Sequence, residues 1–170
     1  MLQTLSKILE QIAKLLLYCG GTVVLIQAIW ISYGVFVRYA LNSPDGMVTE
    51  ATALMLVPVA FFGLAYALSQ DAYPKVTMLR DRLPVRAQAI VDRLNLLIMV
   101  LTGLFFSFAA SEAAIRSFHS GAASEILLWP RFYFWVPVAL SLSVFTLLAL
   151  ARLLTYGQLT NDSSTTQEAP

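Results

Sequence analysis

Few side chains in this sequence could do chemistry. They lie outside the long apolar segments, or they occur one at a time within those segments. The chain has one histidine, His119, and one cysteine, Cys19. One histidine cannot supply two axial ligands to a haem or form a histidine cage around a metal, and one cysteine excludes a disulfide within the chain. No serine stands beside a base in the apolar segments, and there is no glycine-rich phosphate loop. We therefore predict no catalytic residue, no cofactor and no metal site, in a protein that is not an enzyme.

The composition favours a bilayer over water as the solvent of this chain. Hydrophobic residues make up 58% of the 170 residues and charged residues only 12%, whereas a soluble domain has about 25% charged residues. So few charges cannot cover the surface of a water-soluble globule. The net charge of +1 gives no reason to expect a nucleic-acid partner.

Four uncharged runs have the length of a membrane span. They contain 23, 20, 18 and 20 residues and lie between Lys14 and Arg38, Glu50 and Asp71, Arg93 and Glu112, and Arg131 and Arg152. A helix needs roughly 20 residues to cross about 30 Å of hydrocarbon. We predict an all-α integral membrane protein with a single four-helix domain at residues 1–157. Its spans are expected at about 15–38, 50–70, 92–114 and 132–154.

Three segments lie outside the spans, and the sequence predicts a different structure for each. Residues 1–14 carry an apolar face opposite a polar one and predict an N-terminal interfacial amphipathic helix. Residues 71–93 predict a second surface-lying segment, with Val76, Leu79 and Leu83 on one helical face. The polar tail at 158–170 is rich in Ser and Thr and predicts a disordered cytoplasmic segment.

Small and polar residues inside the spans predict helix contacts. Gln27 is expected to make an interhelical hydrogen bond. Gly103, Ser107 and Ser111 recur every four residues and form a smooth stripe that lets another helix approach. That helix could belong to the same bundle or to a partner subunit. Gly63, between Ala60 and Ala67, has the same two interpretations.

Arg38 and Glu50 bracket the first external loop, at the ends of the first two spans. One interpretation is interfacial anchoring, as a weak ion pair of about 0–1 kcal/mol if exposed. The other is a polar contact to a partner at the outer membrane face. The sequence leaves both open.

Two segments resemble a known family. Residues 38–44, Arg-Tyr-Ala-Leu-Asn-Ser-Pro, resemble the Arg-Tyr-x-x-Asn-x-Pro signature of the small membrane subunit of tripartite ATP-independent periplasmic (TRAP) transporters, the DctQ-type family. Residues 62–68, Phe-Gly-Leu-Ala-Tyr-Ala-Leu, are similar to its Leu-Gly-x-Ala-x-Ala-Leu segment. The chain is a divergent member by this resemblance. Met47 and Thr49 stand where the family has an aromatic and its first acid, and Tyr73 and Thr77 stand where it has His and Asp.

The resemblance implies a division of labour among three proteins. A periplasmic solute-binding protein captures a solute, usually an organic acid, and a large permease subunit moves it with an ion gradient. The small subunit is expected to act as a non-catalytic scaffold in the bacterial inner membrane, beside the large subunit and lipid. Candidate interface residues are Arg38, Tyr39, Asn42, Glu50, Gly63, Gly103 and Ser107.

The alternative is a self-contained, homo-oligomeric four-helix transporter or exporter. Such a protein usually needs an acid at membrane depth to exchange protons for its substrate, and Glu50 is the nearest candidate. A membrane-anchored redox or enzyme subunit is a weaker third option, because His119 and Cys19 give it no support.

We predict that both termini lie in the cytoplasm and that the loop at 38–50 is periplasmic. The side holding the termini has eight Lys and Arg residues and the other side has three, an asymmetry that marks the cytoplasmic side. An impermeant thiol reagent applied to intact cells should label Ser43→Cys and leave Ser163→Cys unlabelled, with the unsubstituted chain as the control for Cys19. Labelling of Ser163→Cys alone would reverse the topology.

Overall fold

Four helical segments of the structure are long and apolar enough to cross a membrane. The computed structural model describes residues 2–43, 46–73 and 83–165, with the backbone alone for residues 2–5, 85–86 and 156–165. Its helices are α1 (Leu2–Ala40), α2 (Gly46–Phe62), α3 (Leu64–Ser69), α4 (Val85–Ser120) and α5 (Phe132–Thr165). Because α2 and α3 together form one candidate span, Gly46–Ser69, the described residues contain four candidate spans. The predicted all-α membrane class is confirmed.

The N-terminal segment differs from its prediction because it is not a separate helix. α1 runs without interruption from Leu2 to Ala40. At 1.5 Å per residue its 39 residues measure about 58 Å, so it is longer than the hydrocarbon core of a bilayer is thick. Leu9, Ala13 and Leu16 are buried in the core of the bundle. These contacts continue into the first span, and residues 10–20 contain no proline to end the helix.

Two further predictions concern the C-terminal segment and the segment at 71–93. Residues 158–165, predicted to be disordered, continue α5 to Thr165. A helix that has already formed extends without a new nucleation step, which favours continuation even into a polar sequence. Residues 166–170 lie outside the described residues, as do Val76 and Leu79 of the predicted surface segment. Pro84 directly precedes α4 in an extended conformation.

α5 is the central helix of the bundle. It packs against α1, α2, α3 and α4, whereas α4 makes extensive contact with α5 alone among the described helices. Half of the residues in the most apolar stretch of α5 are buried, against 17% in the corresponding stretches of α1 and α4. The outer helices therefore leave broad apolar surfaces uncovered by the chain.

The small-residue stripe of α4 faces α5. A methyl group placed on Gly103 would lie 2.6 Å from Oγ1 of Thr146, which is closer than non-bonded atoms approach. One turn further along, the Ser107 and Ser143 hydroxyls are 2.8 Å apart and share a hydrogen bond. Of the two interpretations left open by the sequence, the stripe serves contact within the same chain.

A second close contact joins α1 to α2 and α3 through residues spaced by seven. Ala13, Gly20, Gln27 and Gly34 lie on one face of α1, and such a spacing is typical of left-handed helix crossings. Methyl groups on Gly20 and Gly34 would lie 2.9 Å from Phe62 Cβ and 2.6 Å from Val48 Cγ1. Gln27 Nε2 donates to the Thr52 carbonyl oxygen at 3.2 Å, which agrees with the predicted interhelical bond. The hydrogen bond of Gln27 was predicted from the sequence, whereas the seven-residue repeat was not.

The second span is interrupted at Gly63, between α2 and α3. Pro58, one turn earlier, cannot donate a backbone hydrogen bond within the helix. Side chains from outside the span bond to the carbonyls around the break. Ser141 Oγ donates to the Phe61 oxygen at 2.6 Å, and Tyr73 Oη donates to the Leu64 oxygen at 3.0 Å. Burial raises the pKa of the Tyr73 phenol further above neutral pH.

Arg152 connects α5 to the C-terminal end of this span. Its Nη2 donates to the Ser69 carbonyl oxygen at 2.6 Å, and its Nη1 donates to Asp71 Oδ1 at 2.7 Å. A cation at a helix C-terminus is favourable because the last carbonyls carry partial negative charge. The arginine therefore fixes the register between α3 and α5.

Replacing the smallest residues of the α4 stripe should destabilise the bundle. Gly103→Leu and Ser107→Leu insert bulk where α4 meets α5, and each should lower the free energy of unfolding by about 1–3 kcal/mol. Thermal unfolding of the detergent-solubilised chain measures the effect. Phe106→Leu is the matched control, since Phe106 lies on the exposed side of α4. Loss of stability in the control alone would place the packing surface on the other face of α4.

Candidate partner interface

The C-terminal end of α1, which is its outer end under the predicted topology, presents a cation, an aromatic ring and an amide to the surroundings. The Arg38 guanidinium lies 6.0 Å from the centroid of the Tyr39 ring, and the Tyr39 side chain is 79% exposed. Asn42 adopts a left-handed conformation with φ of 51°, which asparagine tolerates better than most residues. This conformation follows the end of α1 at Ala40. All three residues are available for contact at the membrane boundary.

An uncovered apolar strip leads along α1 to this end. It consists of Ile29, Tyr33, Phe36 and Tyr39, spaced by three or four residues, and each of these side chains is more than half exposed. We call this set the α1 face. Residues at this spacing lie on one side of a helix. The α1 face and Arg38 together combine a large apolar area with a positive charge at the C-terminal end of α1.

Glu50 binds a loop of its own chain. Its Oε1 accepts a hydrogen bond from the backbone N–H of Glu125 at 2.6 Å, and its Oε2 accepts one from Leu127 at 2.7 Å. The Ile126 N–H lies between them, 3.1 and 3.0 Å from the two oxygens. Successive N–H groups directed at one anion form a concave site that suits a carboxylate. Both oxygens are thus used within the chain, and Arg38 and Glu50 form no ion pair among the described residues.

The loop held by Glu50 is also braced by its own hydrogen bonds. Ser124 N–H donates to the Trp129 oxygen at 2.9 Å, and Trp129 N–H donates to Ser124 Oγ at 3.0 Å. Ala123 and Pro130 form an isolated antiparallel bridge. Leu128, at the tip, has a φ of 55°, which is rare for a branched side chain. The Glu50 clamp and these bonds together fix the connection between α4 and α5.

The other candidate residues lie between helices. Gly103 and Ser107 face α5, as described above. Gly63 lies at the junction of α2 and α3, where an added methyl group would be 3.8 Å from Leu17 Cδ1 of α1. The seven candidates thus form two groups. Arg38, Tyr39 and Asn42 face outward together, whereas Glu50, Gly63, Gly103 and Ser107 contact other parts of the chain.

Comparison with protein families identifies the chain. A family model described as Tripartite ATP-independent periplasmic transporters, DctQ component, matches residues 28–156. The chain belongs to this family. The matched region runs from the middle of α1 into α5 and includes the Arg38–Tyr39 and Gly63 segments, so the resemblance drawn from them is confirmed. A DctQ component is a small subunit of a TRAP transporter. No curated protein and no solved structure matches the chain.

Glu50→Gln should release the loop of this DctQ component while leaving the helices intact. An amide side chain has one acceptor oxygen, and its NH2 group would face a backbone N–H. The amides of residues 125–127 should therefore exchange with deuterium faster, while those of α4 and α5 keep their protection. Hydrogen exchange of the full chain in detergent measures this. Glu125→Gln, an exposed acid in the same loop, is the control and should change nothing beyond its own site. Unchanged protection in Glu50→Gln would exclude the clamp.

Proposed function

We propose that this DctQ component is the non-catalytic subunit that scaffolds the large permease of its TRAP transporter. The large permease would import an organic-acid-type solute, delivered by a periplasmic solute-binding protein and driven by an ion gradient. The small subunit would lie in the bacterial inner membrane with both termini in the cytoplasm. The family match over residues 28–156 carries this proposal.

The arrangement of polar groups supports a scaffold more than a transport path. Apart from Ser117 near the end of α4, whose buried Oγ has no partner among the described residues, the buried polar side chains of the described spans bond to other helices or to their own. Besides Gln27 and Ser141, Thr146 Oγ1 donates to the Leu142 oxygen at 2.7 Å. A path for a charged solute or an ion needs polar groups directed into a cavity at membrane depth. Within the part of the chain that the structure describes, these groups bond to protein instead.

The uncovered surfaces favour a partner in the membrane. The α1 face ends at Arg38 and Asn42, the residues that carry the family resemblance. Aromatic side chains and arginine are enriched in protein interfaces. We therefore propose that the α1 face and the outer end of α1 contact the large subunit. α4 offers a second exposed apolar surface, which includes Phe108.

The environment of Glu50 favours the scaffold over the self-contained exporter. An exporter that exchanges protons would need Glu50 to bind and release a proton in each cycle. Its two oxygens accept hydrogen bonds from three consecutive backbone N–H groups. A protonated carboxyl would lose acceptor capacity for these donors, so each protonation would break part of the clamp.

The test is whether the subunit works only in a complex. Deleting it should abolish solute uptake, and liposomes containing this subunit alone should show no flux of solute or ion. Arg38→Ala and Tyr39→Ala should each weaken co-purification of the large subunit, by roughly tenfold if one charge-assisted or aromatic contact is lost. Uptake should fall with the amount of complex formed.

Phe108→Ala is the matched control on α4 and should leave co-purification unchanged. If Phe108→Ala weakens the complex while Arg38→Ala and Tyr39→Ala do not, the interface lies on α4. Flux through the purified small subunit, abolished by Glu50→Gln, would overturn the scaffold in favour of the exporter.

A further inference from the structure

The connection between α4 and α5 exposes large apolar side chains. α4 ends at Ser120 and α5 begins at Phe132, and we call residues 121–131 the α4–α5 loop. Within it, Leu128 is 71% exposed, Ile126 51% and Trp129 41%. Apolar residues scattered singly over a surface need no explanation, whereas a cluster of them marks contact with a protein or a membrane. The loop therefore carries a surface for one of these two.

The α4–α5 loop begins at the level where the spans leave the hydrocarbon core. α5 is uncharged from Phe132 to Ala151, and this length of helix measures about 30 Å, the thickness of that core. The ring centroids of Phe118 and Phe132 are 5.2 Å apart, so the end of α4 lies level with the beginning of α5. Trp129 stacks on Phe134 with a centroid distance of 6.3 Å. Its ring is thus held beside the first turn of the span.

The charged side chains around the loop fit this level. Glu112 and Arg116, nearer the middle of α4, form an ion pair with each other. Glu125 and Arg131 of the loop are exposed, and long side chains such as that of arginine extend along apolar surface to keep their charge among the headgroups. Both signs of charge are present, so the loop requires no net charge on the lipid.

The backbone of the loop finds its hydrogen-bond acceptors within the protein. Three of its N–H groups are bound by Glu50, as described above. Four more donate to oxygens of the chain, namely those of Gly121, Ser124, Trp129 and Arg131. Most N–H groups of the loop therefore do not depend on water. A loop in water can leave these groups to the solvent, but an unsatisfied N–H is costly where water is scarce, as it is at the edge of the hydrocarbon.

We propose that the tip of the α4–α5 loop, residues 126–129, inserts into the membrane between the headgroups and the acyl chains, and that Glu50 permits this by binding the N–H groups of the loop. A protein partner could cover the same apolar side chains, but it could also supply acceptors of its own, so it would not require the amides to be satisfied within the chain. The observations therefore favour a lipid surface. Under the predicted topology this is the periplasmic leaflet. The proposal does not rest on the scaffold role.

Tryptophan fluorescence of the full chain in phosphatidylcholine vesicles tests the insertion. Trp30→Phe and Trp135→Phe together leave Trp129 as the sole tryptophan. Lipids brominated near the headgroup end of their chains should quench it. Aqueous iodide should quench it several-fold less than it quenches the matched control, a chain whose sole tryptophan comes from Ser43→Trp. Ser43 is exposed and lies at the same end of the bundle, so the orientation of the chain in the vesicle affects both probes equally.

Two substitutions in the same Trp129 background test what holds the tip in the membrane. Leu128→Ser makes the tip polar, so it should increase iodide quenching several-fold and shift the emission to longer wavelength. Glu50→Gln should act in the same direction, because the released N–H groups must then be satisfied by water. Glu125→Gln is the control and should not increase iodide quenching.

The results that would overturn the proposal are distinct. Iodide quenching of Trp129 as strong as that of the Ser43→Trp control would place the loop in water. No response to Glu50→Gln or to Leu128→Ser would remove the roles assigned to the clamp and to the tip. Loss of bromolipid quenching when the large subunit is reconstituted with the chain would make the loop a protein contact. None of these results depends on whether the subunit acts as a scaffold.

Discussion

Every other described helix of this subunit contacts α5, and close approach to α5 depends on small residues and on hydroxyl groups. A bilayer offers no water to a buried polar group, so each one must find a partner inside the protein. The contacts between helices satisfy this requirement locally. Ser107 bonds with Ser143, and Ser141 bonds with the Phe61 carbonyl where the second span is interrupted. Packing and hydrogen bonding thus act at the same positions.

A bundle arranged around one helix has unequal surfaces. Half of the most apolar stretch of α5 is buried, against 17% of the corresponding stretches of α1 and α4. In a bilayer, lipid or a partner subunit covers the apolar area that remains. The α1 face is the broad apolar part of the uncovered surface of α1.

The sequence predicted the features that depend on local composition. The length and hydropathy of the uncharged runs were sufficient to predict four spans. The spacing of Gly103 and Ser107 predicted a close helix contact. The hydrogen-bond donors to Glu50 could not be predicted. Glu50 is 75 residues from Glu125, and the donors are backbone N–H groups, which residue types do not reveal. The continuity of α1 was missed because an amphipathic face suits either an interfacial helix or the end of a long span. The seven-residue repeat through Gly20 and Gly34 was visible in the sequence and overlooked.

The central position of α5 has a consequence for biogenesis. α5 leaves the ribosome after the other described helices, so the bundle stays incomplete until α5 has been made. α1, α2 and α3 contact one another and can associate as soon as they are inserted. α4 has its extensive contacts with α5 alone. It therefore lies in the lipid without a packed partner helix until α5 is inserted. The newly made subunit therefore passes through a stage with one unpaired helix, in which quality-control proteases and the insertion machinery meet a surface that the finished bundle hides.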